Sequence, residues 1–501
     1  MKVLVDMRPA LDGFSGIPQE MRLLFRGLGQ LPDTRVSGLL HSGNLVLERG
    51  LALDRAGALV RGSDAGADID RQSQVVVSLQ QGAASHRFEW LRKRLLKVLG
   101  PLGAGLGAMF GRQVALSGFE PDHFRDFVWR ALFDKTLPVE DLEAVMQSDY
   151  RVLRWPWSAM NALGVATATL GHAVYPRLDT RGQDVFLAAT PFPGRMRRGT
   201  TMIVRYFDAI PLLMPHTVRN RGYHRAMHWH SLKRNDTDGA WFVCGSDATR
   251  EDLLAVLPHA EKRVVTVANM VSHDFHAESE GAARVPEIIW SRKNRHAPHG
   301  GGAPVREADC PSGELPYLLM VSTLEPRKNH QALLDAWELL RAGRHPGLHL
   351  VCVGSLGWDY EAILQRFAPW LERGGVHFLH AVPASDLRLL YRHARATVSP
   401  SVAEGFDYSG IEAMRCGGPV VASDIAVHQG VYGKAAEYFS PYAPAQLAAV
   451  LDTLIDDSPA ARSRRSALVE EGFRQSQRYT PEALLPQWAE LLAQATHDRA
   501  G

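Results

Sequence analysis

Glu404 and Glu412, in the segment EGFDYSGIE, are two carboxylates separated by seven residues, a spacing that could serve one ligand. The pattern around them predicts a strand ending near Pro400 and a helix beginning near Gly410. Glu404 would then lie in a loop at the carboxyl end of a strand, with Glu412 in the first helical turn. Carboxylates there can accept hydrogen bonds from ligand hydroxyls, and the free N–H groups at Ser409 and Gly410 favour an anion such as phosphate.

The same segment has a purely structural alternative, because Ser409 and Glu412 have the spacing of a capping box. In a capping box both side chains would only satisfy N–H groups at the end of the helix, without contacting any ligand. Such boxes are common, so this segment taken alone is compatible with either role.

Arg327 and Lys328 follow another predicted strand end, in the segment TLEPRKN over 323–329. Two adjacent cations are poorly placed at the start of a helix, where the helix dipole favours anions. A diphosphate bound there would explain them, with bidentate contacts from Arg327 and a point charge from Lys328. The alternative is a solvated charge pair on a loop. At a third strand end, Gly354 would let the backbone approach a ligand closely, or would form an ordinary left-handed turn.

Together these motifs resemble the retaining, nucleotide-sugar-dependent glycosyltransferases of family 4, which have the GT-B fold. The resemblance is carried by Glu404-Gly-Phe, Glu412-Ala-Met and the stretch GGPVVAS over 417–423. It covers residues 317–455 well, and the N-terminal half more thinly, at 6–17 and 205–215. In that family the first glutamate contacts the donor sugar and the second the nucleotide ribose, which implies these roles for Glu404 and Glu412.

The resemblance also implies roles for residues in other motifs. The donor-diphosphate lysine of the family falls on Lys328. Its partner arginine would fall on Thr323, so we expect Arg327 to take that role and Thr323 to lie at the donor. Gly16, which ends a glycine-bearing turn after the first predicted strand, is likewise expected at the donor, with Ser409, Gly410 and Gly354.

The sequence departs from the family at two positions. Phe207 occupies the position of a histidine near the donor sugar, whereas Asp208 keeps the neighbouring carboxylate. Because Phe cannot hydrogen-bond a sugar or phosphate, either a nearby group substitutes for it or activity is reduced. Gly430 occupies a position that is often acidic. The expected catalytic residues are Glu404, Asp208, Arg327 and Lys328.

The implied reaction retains configuration at the anomeric carbon, with the acceptor hydroxyl attacking from the face of the leaving group. No metal, cofactor or protein nucleophile is expected. The favoured activity is transfer of mannose from GDP-mannose to a glycan or lipid-linked saccharide in surface polysaccharide biosynthesis. One alternative is a GT-B nucleotide-sugar epimerase, and the other is a sugar-nucleotide-binding partner protein that has lost catalysis.

The composition and the predicted elements agree with a large α/β protein. A net charge of +2 on 501 residues gives no basic field for nonspecific nucleic-acid binding. Strands and helices alternate regularly in the second half, whereas the first half is irregular, with a short strand expected at 75–77. We expect two doubly wound, Rossmann-like domains facing across a cleft. The predicted ranges are an acceptor-binding domain over 1–285 with insertions near 80–180, a linker over 286–316, a nucleotide-sugar-binding domain over 317–475, and a helix and tail over 476–501.

Localisation is predicted from the cysteines, the first residues and one basic segment. The cysteines at 244, 310, 352 and 416 have no CxxC spacing, and the chain opens without a long apolar stretch, so we expect a cytoplasmic protein. Residues 85–99 combine basic and apolar side chains at helical spacing. They are expected either to contact an anionic membrane surface or to pack on the N-terminal domain with their cations extended to solvent.

Three histidines, His224, His228 and His230, fall within seven residues, with the first two on one helix face. Zinc can use such a pair, but no third ligand is evident, and surface or acceptor-site histidines are the favoured interpretation. One of them could also substitute for the histidine missing at Phe207.

Overall fold

The computed structural model describes residues 1–13, 16–43, 46–80, 113–295 and 315–497. Strands in these ranges are β1 Lys2–Asp6, β2 Arg35–Leu40, β3 Ala52–Leu53, β4 Leu59–Val60, β5 Gln113–Ala115, β6 Ser117–Phe119, β7 Asp149–Val152, β8 Arg177–Asp179, β9 Val185–Ala188, β10 Arg195–Met196, β11 Thr201–Tyr206, β12 Trp241–Cys244, β13 Val264–Thr266, β14 Tyr317–Val321, β15 His349–Val353, β16 Val376–Leu379, β17 Ala396–Ser399, β18 Val420–Ser423 and β19 Ala436–Phe439.

The α-helices in the same ranges separate these strands along the chain. They are α1 Ile17–Leu28, α2 Ala65–Gln80, α3 Arg125–Val128, α4 Leu142–Met146, α5 Trp157–Ala168, α6 Ile210–Leu213, α7 Arg221–Thr237, α8 Asp247–Val256, α9 Arg284–Arg295, α10 His330–Ala342, α11 Glu361–Arg373, α12 Ala384–His393, α13 Tyr408–Cys416, α14 Ala426–Tyr432, α15 Pro444–Ile455, α16 Pro459–Ser476 and α17 Pro481–His497.

Two large sheets form the centres of two domains. The N-terminal sheet has the order β13-β12-β11-β9-β1-β2-β7-β6, and it is parallel except for β6, which runs antiparallel to β7. The C-terminal sheet is parallel throughout, in the order β16-β15-β14-β17-β18-β19. Numbered within its own domain, this order is 3-2-1-4-5-6, that of dinucleotide-binding folds. The predicted pair of doubly wound domains is therefore confirmed.

Continuous apolar runs explain why the C-terminal strands were recognisable from sequence. Strand β14 is YLLMV and β15 is HLVCV, and helices cover both faces of a parallel sheet, so these strands carry no alternating polar side. The apolar runs predict strands over 317–322, 349–353, 376–380, 396–399 and 419–422, and strands β14 to β18 agree with these ranges to within one residue. The sequence did not predict β19 or the short helix α14.

The strand expected at 75–77 is wrong, because these residues belong to helix α2. Val75 and Val76 are buried in the N-terminal core, whereas Val77 is 49% exposed. The residues directly before them, DRQSQ, are polar and lack the period of two that a half-buried strand needs, so the three valines continue a helix.

Helix α17 returns to the N-terminal domain at the end of the described chain. Trp488 and Leu492 are fully buried in the same core cluster as Val3 and Val5 of β1. The hydroxyl of Thr201 at the start of β11 donates to the carbonyl of Ala495 at 3.3 Å. The core of the first domain therefore includes residues from the other end of the sequence.

The range predicted as a linker, 286–316, begins within helix α9. Ile288 and Ile289 of this helix are buried in the C-terminal core with Leu379 and Leu387. Residues 296–314 lie outside the described residues, as does the basic segment 85–99. Within the described ranges, no helix combines the length and apolar character needed to span a membrane.

Candidate functional site

The loop between β17 and α13 places Glu404 against the two predicted cations. Its Oε2 accepts a hydrogen bond from Arg327 at 2.7 Å, and its Oε1 accepts one from Lys328 Nζ at 2.5 Å. The carboxylate is 6% exposed and both cationic side chains are 15% exposed. Arg327 also donates to Glu325 Oε1 at 2.5 Å and to the carbonyl of Ala403 at 2.7 Å. The two motifs chosen from sequence therefore form one nearly buried charge cluster, which argues against a solvated charge pair.

The neighbouring charges decide the ionisation of this cluster. Burial alone would raise the pKa of Glu404, but Arg327 and Lys328 outweigh it and hold that pKa below its ordinary value. Burial lowers the pKa of Arg327, whereas Glu404 and Glu325 raise it more, so the guanidinium stays charged. A phosphate entering this site would share the donors of both cations with the two glutamates.

Asp208 reaches the same cluster from the other domain. It follows β11, and its Oδ1 accepts a hydrogen bond from the N–H of Ile210 at 3.0 Å. A Cβ placed on Gly405 would lie 3.2 Å from Cβ of Asp208 and 1.9 Å from the carbonyl oxygen of Phe207. Burial raises the pKa of Asp208, and the charge of Arg327 only partly offsets it. The structure thus brings Asp208, Glu404, Arg327 and Lys328 together across the interdomain cleft.

The carbonyl of Gly405 is also held by the N-terminal domain. It accepts hydrogen bonds from the hydroxyls of Ser246 at 2.9 Å and Thr249 at 3.1 Å. Ser246 also caps helix α8, since its Oγ accepts from the N–H of Thr249. The absence of a side chain at 405 is what permits this approach of two backbones.

Glu412 does not take part in a capping box, so that alternative is wrong. Helix α13 begins at Tyr408, and Asp407 caps it by accepting from the N–H of Ser409 at 3.2 Å. Glu412 instead accepts from the hydroxyl of Tyr391 at 2.9 Å and from the amide of Gln19 at 3.2 Å. Burial raises its pKa to about 7, although both hydrogen bonds oppose that rise.

Helix α1 lies against helix α13 at the start of each helix. Glu20 pairs with Arg205 at 3.0 Å, accepts from the hydroxyl of Tyr408 at 3.0 Å, and accepts from the N–H of Met270 at 2.9 Å. Glu20 and Arg205 are fully buried, and burial raises the pKa of Glu20 despite the cation beside it. Gly16 caps α1 at φ +74°, and a Cβ on it would meet nothing within 4 Å, so its outer side is open.

The remaining predicted donor residues have neighbours within the protein. A Cβ on Gly354 would lie 1.9 Å from the carbonyl oxygen of Ser322, which directly follows the neighbouring strand β14. The close approach at this glycine is therefore made by the backbone of the protein itself. Gly354 is not in the left-handed region, and the turn alternative is wrong. Thr323 follows directly and is half-buried. Gly410 packs on Tyr432, whose ring carbon Cζ would be 2.3 Å from an added Cβ.

Phe207 contributes its backbone to the cleft, while its ring packs partly buried against the N-terminal core. The guanidinium of Arg205 lies 5.7 Å from the centre of that ring.

Among the histidines of α7, His228 hydrogen-bonds the hydroxyl of Tyr206 at 3.1 Å, and burial lowers its pKa to about 3. Within the described part of the chain, no three His, Cys, Asp or Glu side chains are grouped to hold a metal ion.

Five polar residues of the cleft were missed in the sequence: Gln19, Glu20, Glu325, Tyr391 and Tyr408. Gln19 and Glu20 had a usable signal, because they fall in the first turn of a helix that follows the glycine-bearing turn. Glu325 lies inside the motif that contains Arg327. Tyr391 and Tyr408 carried no signal in the sequence, since their hydroxyls are brought to the cleft only by the packing of α12 and α13.

Comparison with known proteins agrees with this geometry. Residues 307–474, about a third of the chain, match the family described as glycosyl transferases group 1. O-antigen chain mannosyltransferase B of Escherichia coli is 31% identical over 214 residues, 42% of this chain and 51% of that protein. Serotype-specific mannosyltransferase WbdA of Escherichia coli is 24% identical over 298 residues, 59% of this chain and 34% of that protein. The chain thus spans about half of the length of the first relative and about a third of the second.

Solved structures establish the class of fold. Sucrose-phosphate synthase from Thermosynechococcus elongatus superposes with a TM-score of 0.56 at 13% identity, covering 98% of each chain. With one parallel and one largely parallel sheet and a cleft at their carboxyl ends, the protein has the GT-B fold. The match over 307–474 further places a glycosyltransferase group 1 domain in its C-terminal half.

Proposed function

We propose that this protein is a retaining glycosyltransferase that moves a hexose from a nucleotide sugar to a saccharide acceptor. The observation that carries the proposal is the cluster of Glu404, Arg327 and Lys328 closed by Asp208 from the opposite domain. A cationic pair at a strand's carboxyl end suits a nucleoside diphosphate, both as donor group and as leaving group.

The cations and the glutamates of the site would have different tasks. Arg327 and Lys328 would stabilise the negative charge that develops on the diphosphate as the glycosidic bond to the donor breaks. Glu404 would accept hydrogen bonds from hydroxyl groups of the donor sugar. Glu412 would accept them from hydroxyl groups of the ribose. The acceptor hydroxyl would attack from the leaving-group face, and its proton would pass to the leaving phosphate oxygen, so that bonds and charges balance without a protein nucleophile.

The favoured donor is GDP-mannose and the favoured acceptor a glycan or lipid-linked saccharide of surface polysaccharide biosynthesis. Support comes from the two mannosyltransferases of Escherichia coli, whose names assign them mannose transfer. A nucleotide-sugar donor would place the reaction in the cytoplasm, and a lipid-linked acceptor would place it at the membrane surface. Contact of residues 85–99 with that surface remains a prediction, which sedimentation with anionic vesicles would test.

The donor site is tested by thermal unfolding with GDP, UDP, dTDP and ADP, alone and as sugar conjugates. A ligand that binds only the folded state raises the melting temperature, so one nucleotide should shift it selectively. The shift should disappear in Lys328→Ala, whereas Arg373→Ala, an exposed cation at the end of α11, should keep it. The absence of a shift with every nucleotide would refute the donor site.

The reaction itself is tested by product analysis with the donor identified in that screen. A new glycosidic bond with retained anomeric configuration would support the proposal, whereas an epimerised donor or binding without turnover would support the two alternatives. We expect Glu404→Ala to abolish transfer while the protein stays folded. Turnover should persist in EDTA, because the proposed mechanism uses no metal ion.

A further inference from the structure

A cavity of about 580 Å³ lies in the C-terminal domain, at the edge of its sheet opposite the interdomain cleft. Tyr317, Arg395 and Pro419 line it, and they lie at the amino ends of β14, β17 and β18. Glu404 follows the carboxyl end of β17, so the length of that strand separates the cavity from the charge cluster. Small-molecule sites commonly have volumes of about 300–1,000 Å³, and this cavity falls within that range.

The lining of the cavity combines apolar side chains with arginines. Its apolar part includes Val285, Val469 and Phe473, and its cations are Arg392, Arg395, Arg462 and Arg465. Arg462, Ser466 and Glu470, which also line the cavity, are exposed residues of helix α16. A ligand in solution can therefore reach the lining from this side.

Two of the four arginines are paired with one carboxylate. Asp457, in the loop between α15 and α16, pairs with Arg395 at 2.6 Å and with Arg465 at 3.3 Å. Burial lowers the pKa of Arg465, and the neighbouring charge of Arg395 lowers it further. Positive charges in this part of the cavity therefore already repel one another, and Asp457 accounts for only two of the four.

The other two arginines have no carboxylate partner within the ranges that the structure describes. Arg462 donates to the backbone carbonyl of Asp457, and Arg392 makes neither a hydrogen bond nor an ion pair there. Glu470, an acidic residue of the lining, pairs with Arg474 at 3.2 Å instead. The cavity thus has an excess of two positive charges over the carboxylates that contact its arginines.

Arg392 meets an aromatic ring at the end of helix α13. A Cβ on Gly417, which caps this helix, would lie 3.1 Å from Nη1 of Arg392 and 3.2 Å from Cζ of Phe473. The guanidinium and the ring therefore approach the same glycine, which has no side chain to fill the space between them. An anionic group bound to Arg392 would bring the rest of its molecule against Phe473.

We propose that this cavity binds an organic phosphate, with the phosphate held by Arg392 and Arg462 and the organic part against Val469 and Phe473. A phosphate monoester has a charge close to −2 at neutral pH, which matches two unbalanced cations, whereas a carboxylate would neutralise only one. Arginine also suits phosphate, because its planar fork can donate two hydrogen bonds to neighbouring oxygens. The proposal goes beyond the proposed function and does not depend on it.

Isothermal titration calorimetry of the full chain with glucose 1-phosphate, octyl phosphate and inorganic phosphate tests the site. Every chain in the titration contains Lys328→Ala, or Lys328→Gln if that variant does not fold, to weaken phosphate binding in the interdomain cleft. At least one ester should bind, and more tightly than inorganic phosphate, because only the esters reach the apolar part of the lining. Preference for the sugar ester would indicate a soluble ligand, and preference for the alkyl ester a lipid phosphate.

Arg392→Ala and Arg462→Ala should each weaken the binding about tenfold or more, as expected when a hydrogen bond to a charged group is lost. Arg464→Ala is the matched control, because Arg464 lies in the same helix but pairs with Glu437 outside the cavity. That variant should bind as tightly as the chain with Lys328→Ala alone.

Three results would overturn the proposal. They are failure of both esters to bind, equal affinity for inorganic phosphate and the esters, and unchanged affinity in both the Arg392 and the Arg462 variant. The nucleotide-induced thermal shift is measured separately on the chain that retains Lys328, so failure of the donor site is recognised independently of failure here.

Discussion

Gly405→Ala should lower turnover by at least about 10²-fold while sparing nucleotide binding. In the structure a Cβ at this position would lie 1.9 Å from the carbonyl oxygen of Phe207. Carbon and oxygen atoms in contact are ordinarily at least about 3.3 Å apart, so the two backbones must separate by roughly 1.4 Å. Because the two loops belong to different domains, the strain would be relieved by opening the cleft.

The expected size of the effect follows from what that opening breaks. The carbonyl of Gly405 would lose its hydrogen bonds from Ser246 and Thr249, each contributing about 1 kcal/mol. Misplacing reacting groups by about 1 Å can lower a rate by about 10²-fold, so turnover should fall by at least that factor. The donor cations belong to one domain, so the affinity for the nucleotide should change little.

The assay is turnover with the identified donor, measured beside the nucleotide-induced thermal shift. Gly430→Ala is the control, because a Cβ there meets nothing within 4 Å and Gly430 lies in helix α14 of the same domain. That variant should keep full turnover and gain about 0.5–1 kcal/mol of stability from the added helix preference. Wild-type turnover in Gly405→Ala would refute the close approach of Phe207 to this loop.

Three further predictions concern the buried groups around the cleft. The folded protein holds the proton of Glu412 up to about pH 7, above its ordinary 4.5, so this residue lowers the free energy of unfolding as pH rises between those values. In urea unfolding, the stability of Glu412→Gln relative to wild type should therefore increase by up to about 3 kcal/mol from pH 5 to pH 8, and a constant difference would contradict this. Glu20→Ala leaves Arg205 buried without its carboxylate and should cost about 3–5 kcal/mol in the same assay; a cost under about 1 kcal/mol would mean the pair is not formed. Phe207→His should lower turnover, because the ring packs against the N-terminal core beside Arg205 rather than facing a sugar, and increased turnover would contradict that packing.

The sequence was most informative where one feature alone decides the local structure. Apolar runs such as YLLMV predict buried parallel strands whatever surrounds them, and the C-terminal sheet followed from them. Glu404, Arg327 and Lys328 could be chosen because each lies at a predicted strand end, and parallel strands bring such ends to one edge.

Contacts that depend on the relative position of two domains could not be predicted in this way. The capping box of Ser409 and Glu412 has the correct spacing, yet Asp407 takes the cap and Glu412 turns to Tyr391 and Gln19. Local sequence cannot show that a glutamine almost four hundred positions away provides a competing partner. Val75 to Val77 failed for a different reason: three adjacent valines alone fit a short strand, and only the residues around them indicate that they continue a helix.

The return of helix α17 to the first domain has a consequence for synthesis of the protein. Strand β1 is translated long before helix α17, so the apolar surface that Trp488 and Leu492 cover stays exposed until residues beyond 480 have been translated. The N-terminal domain therefore completes its core only after the C-terminal domain has been made. A nascent chain stalled before α17 would expose apolar core residues of its first domain to chaperones, even if its second domain had already folded.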